Sequence, residues 1–455
     1  MAAQDLTSGP VRGHLLRMSG FMLLTMLMQT LYSIIDLFWV GRLGREAIAA
    51  VALGGNLMMV VMAVGQTLAI GAAALIAQAA GRKDMAEARR LFTQAQSVSG
   101  VLAVLLLLLM YAGRGLYGDT LAGDLRTAAL TREFLGPFIP ALALQVPMFV
   151  LSAALRGVGD VRTASIAQLV TVVLNMMLAP VLIFGWGSGH PLGVAGAALA
   201  TLISIALGVA GLLLHVVRKT QFFSSEWRLA PRLAWRMMRI GLPSGAELAL
   251  MAVYMSFIMA MLQRFGPAPQ AAFGIGMRIL QAGMMPCMAV TFATAAIVGQ
   301  NYGAGHGARI REAFMHALRF NLVVATLFCI AFHVAPAALI RPFSHDPQVL
   351  VAGADFLRWI AWNQIAVAVI FACSGVFSGF GNTLPSLIGS ATRIGAVMGG
   401  GLLLSRDPRF SPVWLWVLSV SASVGQLIIN VVLLRRELHR RLPPAPEATT
   451  ADAPL

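Results

Sequence analysis

Residues 101–110 read VLAVLLLLLM, and apolar runs of this kind recur along the whole 455-residue chain. An α-helix needs about 20 consecutive apolar residues to cross the hydrocarbon core of a bilayer, and the sequence holds roughly a dozen such stretches. No water reaches backbone N–H and C=O groups there, so helices or a closed barrel must satisfy them internally. The runs are continuous and do not alternate with period two, which selects helices. Hydrophobic residues make up 58% of the chain and charged residues 11%, far from the usage of soluble domains. The expectation is an all-α membrane protein with 12 transmembrane helices, near 14–41, 47–80, 90–113, 127–155, 162–186, 193–217, 237–265, 269–300, 310–335, 347–376, 384–403 and 412–435.

The N-terminal stretch MAAQDLTSGPVRGHLLRM has no short apolar core followed by a small-residue cleavage site, so the first helix is expected to be retained. A net charge of +15 would suit nucleic acid only if basic and aromatic residues shared one strip. Instead the basic residues track topology. Segments on the N-terminal side of the twelve helices hold about twice as many lysines and arginines as the opposite ones, which places both termini in the cytoplasm and argues against nucleic acid as a partner. Cys287, Cys329 and Cys373 fall in apolar helices, so neither a disulfide framework nor a paired-cysteine metal site is written in the chain.

One offset, 222 residues, aligns points scattered over both halves. Gln78, Gly81, Ala86, Arg89 and Phe92 meet Gln300, Gly303, Ala308, Arg311 and Phe314; Asp124, Phe134 and Leu135 meet Asp346, Phe356 and Leu357; Gly157 and Gly159 meet Gly379 and Gly381. An even number of helices per half gives both halves the same orientation, a parallel repeat about the membrane normal. The domains read as an N-terminal six-helix lobe (1–217), a basic cytoplasmic linker (218–236), a C-terminal six-helix lobe (237–441) and a Pro/Ala-rich tail (442–455) expected to be disordered. Duplicated bundles suit a transporter that alternates access around a site near mid-membrane. Channels are also built by duplication.

Ionisable residues inside such helices are costly, about 2.5–3.5 kcal/mol for a carboxylate at the bilayer centre on insertion scales. Asp36, within LYSIIDLFWVGRLG (31–44), is the leading candidate to bind a coupling ion, a proton or sodium. Its structural alternative is a helix-end pair with Arg42 or Arg45. Glu247, four residues past Pro243, is the other buried acid; it either attracts cationic substrates or pairs with Arg278 or Arg393. Gln29, Gln66, Gln145, Gln281, Asn363 and Gln364 are candidate cavity residues, with helix-to-helix hydrogen bonding as the alternative for each. The methionines Met22, Met26, Met28, Met58, Met59 and Met62 would give an adaptable surface or face lipid. Pro137, Pro140, Pro147, Pro180 and Pro286 mark helix bends.

Several stretches together resemble the multidrug and toxic-compound extrusion (MATE) family: DLFWVGRLGREAIAAVAL (36–53), AQAAGRKDMAEARR with GQNYGAGHGARIRE, RGVGDVRT with SGFGNTLP, NMMLAPVLIFGWG leading to PLGVAGAALAT, and GLPSGAE. The resemblance covers nearly the whole chain. It implies two six-helix lobes forming a V in the inner membrane, which export organic, usually cationic, compounds in exchange for protons or sodium. No cofactor beyond the coupling ion is implied, and the unit is expected to act as a monomer.

In that family an aspartate of the first helix works with an Asn and an Asp four apart on the fifth and a Thr on the sixth. Asn175 stands at the Asn position and Thr201 at the Thr position, while Ala179 replaces the second acid. A hard cation needs several oxygens and a proton one base, so protons are favoured over sodium. Some members carry a coupling glutamate on the seventh helix about one turn beyond Glu247. Their partner acid on the tenth is absent from IAWNQIAVAVIFACSGV. The first helix also lacks the family's proline, with Phe21 opposite Pro243 under the repeat. A flippase for lipid-linked or anionic substrates on the same plan is the alternative, and it would need more cavity cations than Arg278 and Arg393. Sequence patterns of membrane-embedded enzymes are missing.

Overall fold

The computed structural model describes residues 4–186, 189–220 and 230–442. Among them twelve helices are long and apolar enough to cross a membrane. The elements are α1 (Val11–Gly41), α2 (Arg45–Gly81), α3 (Met85–Leu121), α4 (Leu125–Gly157), α5 (Val161–Phe184), α6 (Gly193–His215), α7 (Pro231–Leu262), α8 (Pro267–Gly303), α9 (Gly307–Val334), the single turn α10 (Pro336–Ile340), α11 (Pro347–Gly379), α12 (Leu384–Leu404) and α13 (Pro412–Arg441).

Helices run past the apolar stretches where caps allow it. The polar turn MAEARR is helical because the Asp84 side chain accepts from the backbone N–H of Glu87 at 2.9 Å, meeting one of the amides that a helix start leaves open. Asp124, Asp160 and Asp346 cap α4, α5 and α11 in the same way. Pro137, Pro140 and Pro147 lie inside α4, Pro180 inside α5, Pro243 inside α7 and Pro286 inside α8. Residues 231–236, read from sequence as linker, open α7. Residues 221–229 and 443–455, where the rest of the linker and the tail were expected, lie outside the described residues.

The chain groups into two compact units. The first comprises Met1–Asp5 and Arg17–Ala246. In it α4 is the central helix and packs on α2, α3, α5 and α6; its most apolar window is 72% buried against 22% for α2 and α3. Leu75, Ile76, Leu91, Phe92 and Leu151 fill one core cluster. The start of α7 lies backbone to backbone on α2: a Cβ at Gly241 would stand 1.5 Å from the Thr67 carbonyl oxygen, and one at Gly71 would stand 2.0 Å from that of Met237.

The second unit comprises Leu6–Leu16 and Glu247–Leu455. Here α11 takes the central place and packs on α8, α9, α12 and α13. These pairings repeat those of α4 at the 222-residue offset. The segment before α1 is tied into this unit. Leu6 donates its N–H to Gln300 Oε1 at 3.0 Å and accepts from Asn301 Nδ2 at 3.1 Å. Arg309 Nη2 donates to the Gly9 carbonyl at 2.8 Å.

Candidate functional site

Asp36 is carried by α1, one turn after Tyr32, so the two side chains share a helix face. The Asp36 Oδ1 is buried and has no hydrogen-bond partner. Neither nearby arginine relieves it. Arg42 lies over the rings of Phe38 and Trp39, 4.8 and 5.2 Å from their centroids, and Arg45 bonds Glu46 at 2.8 Å. Tyr32 lies within electrostatic range of Asp36 and within hydrogen-bonding reach of Thr201. On α5 and α6, Asn175 Nδ2 donates to the Thr201 hydroxyl at 3.0 Å, which donates in turn to its own helix at Ala197 O, 3.1 Å away. Asn175 is 4% exposed, and its Oδ1 is buried without a donor.

The first unit therefore gathers Asp36, Tyr32, Thr201 and Asn175, with two buried acceptor oxygens left unmatched. Each such oxygen costs about 1–3 kcal/mol. A proton on the carboxyl, or a cation shared by the oxygens, removes that cost. Ala179 is fully buried among Ile183, Ala197 and Ala200 in an apolar cluster, so the place of the family's second acid is hydrocarbon. Tyr32 was not singled out from sequence; its signal was the four-residue spacing from Asp36.

In the second unit Glu247 accepts from the Ser390 hydroxyl at Oε1, and Gln426 Nε2 donates to Ser390 Oγ at 3.1 Å. Arg393 acts electrostatically on Glu247 and lies over the Tyr254 ring at 5.1 Å. Tyr254 and Ser419 hydroxyls are 3.2 Å apart. Of the two arginines expected near Glu247, Arg393 is the neighbour, whereas Arg278 is exposed and does not act on it. Ser390 and Gln426 were missed, because neutral polar residues on α12 and α13 carry no sequence pattern of their own.

The remaining candidates do not join either cluster by a side-chain hydrogen bond. Gln29, Gln66 and Gln145 are half-buried and Gln281 is exposed. On α11 Asn363 Oδ1 and Gln364 Oε1 are buried without partners, and Gln364 Nε2 reaches Ile360 O at 3.5 Å. Among the described residues no three His, Cys, Asp or Glu side chains group as metal ligands.

The family model described as MatE matches residues 22–181 and 243–399. A probable multidrug resistance protein NorM from Thermotoga maritima is 28% identical over 371 residues, 79% of this chain and 78% of its own. A FAD transporter from Shewanella oneidensis is 27% identical over 377 residues, 81% of this chain and 82% of its own. A MOP superfamily transporter of known structure from Pyrococcus furiosus superposes with a TM-score of 0.87 at 23% identity, over 96% of this chain and 98% of that one. Twelve membrane-length helices, a repeat of α4-centred packing and a family model matched across both halves converge: the chain is a membrane transporter, not an enzyme, and belongs to the MatE family.

Proposed function

We propose that the protein is a cation-coupled antiporter of the inner membrane, with both termini cytoplasmic, that exports small organic compounds, cationic ones above all. Asp36 takes up the coupling ion, and Asn175, Thr201 and Tyr32 orient it. The halves read from the repeat, 1–217 and 237–441, are the bodies that alternate access. The observation that carries this reading is the buried, partnerless Asp36 oxygen, linked through Tyr32 and Thr201 to Asn175, whose own oxygen is partnerless.

The ion favoured is the proton. Hydrocarbon at Ala179 leaves one carboxylate and few neutral oxygens, a donor set better matched to one proton than to a dehydrated sodium ion. Everted vesicles loaded by a fluorescent organic cation test it. A proton gradient alone drives accumulation; drive by sodium alone would overturn the ion assignment. A second reading, export of anionic compounds, is favoured by the unpaired Arg393 and by the name of the Shewanella relative.

A further inference from the structure

The second unit holds two opposite charges that are close enough to feel one another yet are not joined. Arg393 influences Glu247 electrostatically, but no ion pair within 4.0 Å joins them among the described residues. Glu247 has one protein donor, Ser390 on Oε1. Arg393 donates no hydrogen bond to a protein acceptor among the described residues: its Nε is buried without a partner, and besides Glu247 it meets the Tyr254 ring. A guanidinium held so, inside apolar helices, is costly unless an anionic group completes it.

The surroundings are buried. Ser390 is 4% and Gln426 5% exposed, and Asn430 is fully buried. Asn430 has neither Oδ1 nor Nδ2 hydrogen-bonded, and a Cβ at Gly389, next to Ser390, would stand 2.3 Å from that Oδ1. Arg393 and Asn430 thus carry unmet polar atoms on α12 and α13, Arg393 one turn after the Ser390 that bonds Glu247.

Comparison of the halves shows that this is not inherited packing. At the 222-residue offset Tyr254 corresponds to Tyr32, but Ile258 and Val397, both fully buried in an apolar cluster, stand where Asp36 and Asn175 would be. Conversely, Glu247 and Arg393 correspond to Thr25 and Thr171. Those hydroxyls are satisfied within their own helices, by Phe21 O at 2.8 Å and Ala167 O at 2.9 Å. The duplicated halves have kept one tyrosine and divided the charges: a lone acid in the first, an acid and a base in the second.

We propose that Glu247 and Arg393 form a dipolar substrate site, taking compounds that carry a cationic and an anionic group in one molecule. Arg393 receives the carboxylate or phosphate of the ligand, Glu247 its amine or iminium group, and Ser390 fixes the Glu247 carboxylate. Tyr254 supports the guanidinium from its far face. The site is neutral overall, so a substrate with both charges replaces each partner's missing interaction, whereas a monocation leaves Arg393 unmatched. This inference rests on the export reading above and names its substrate class.

The test uses purified protein and a matched pair of xanthene dyes, one with a free carboxylate beside its cationic ring system and one in which that carboxylate is an ethyl ester. Fluorescence polarisation measures binding, and gradient-driven uptake into vesicles is followed separately. The wild type binds the free acid about tenfold more tightly than the ester, as expected for a site whose charged donors would otherwise stay unpaired. Arg393→Gln makes the two dyes bind alike, Arg393→Lys restores part of the preference, and Glu247→Gln weakens both dyes. Thermal melting in detergent identifies any variant that fails to fold, and Arg393→Lys then carries the comparison. Equal binding of the dyes by the wild type would overturn the proposal, as would a preference that survives Arg393→Gln in a folded protein. If neither dye moves under any gradient while the binding preference holds, the export reading fails and the dipolar site stands.

Discussion

At the residue scale, single side chains set local energies that can be read separately from transport. Asp124 lies between membrane helices and accepts from the Thr127 N–H and hydroxyl, both at 2.8 Å. Those bonds hold its carboxyl below the usual range. A depressed folded-state value means stability that is present above the ordinary carboxylate range, near pH 4, and is lost as pH falls through the lowered value. Asp124→Ala should therefore lower the melting temperature at pH 7, and its gap from wild type should shrink below about pH 4. An unchanging gap would contradict the cap. Gly241→Ala drives a methyl group into the Thr67 carbonyl and should cost about 1–3 kcal/mol or more. Gly113→Ala meets open space in α3 and should gain about 0.5–1 kcal/mol; equal melting temperatures for the two variants would refute the close approach. Asp36 was legible from sequence because an acid in a long apolar run is costly. Tyr32 carried a weaker signal, its four-residue spacing from Asp36 on α1, and Ser390 and Gln426 carried none, because their meaning arises only once α12 and α13 bring them to Glu247.

At the element scale, the chain before α1 is held by Gln300 and Asn301 at Leu6 and by one arginine along its length. Arg309 Nε donates to Asn301 Oδ1 at 3.0 Å, and its Nη2 donates to the carbonyls of Leu6 and Ser8 at 3.3 Å and Gly9 at 2.8 Å. Hydrogen bonds to charged groups contribute about 1.5–3 kcal/mol. Arg309→Ala should free residues 4–9, seen as amide exchange there at least tenfold faster, by about 1.4 kcal/mol per decade, while α11 stays protected. Unchanged exchange at Leu6 would show that Gln300, Asn301 and the buried Leu6 side chain hold the segment without Arg309. Hydropathy located every long helix but misplaced ends such as Met85 and Pro231. Apolar runs mark the bilayer, whereas helices end where caps and prolines dictate, and these lie in polar turns. The one-turn α10 was missed because five residues carry no period.

At the scale of the whole molecule, the repeat was the most readable feature. An unbroken 222-residue offset foretold that α11 would pack as α4 does, because equal spacing of glycines, caps and core residues imposes equal packing. The division of charge is written in the sequence at that offset, with Asp36 against Ile258 and Glu247 against Thr25; which neutral side chains meet those charges is not, since a repeat fixes spacing and not contacts. The account stands on Asp36 as the group that binds the coupling ion. The most direct test reconstitutes wild type and Asp36→Asn in everted vesicles and compares uptake of a fluorescent organic cation under an imposed proton gradient. The substitution keeps size and removes the ionisable oxygen. The account predicts gradient-driven uptake by the wild type and none above the empty-vesicle background by the variant, with both proteins melting alike; full uptake by Asp36→Asn would contradict it.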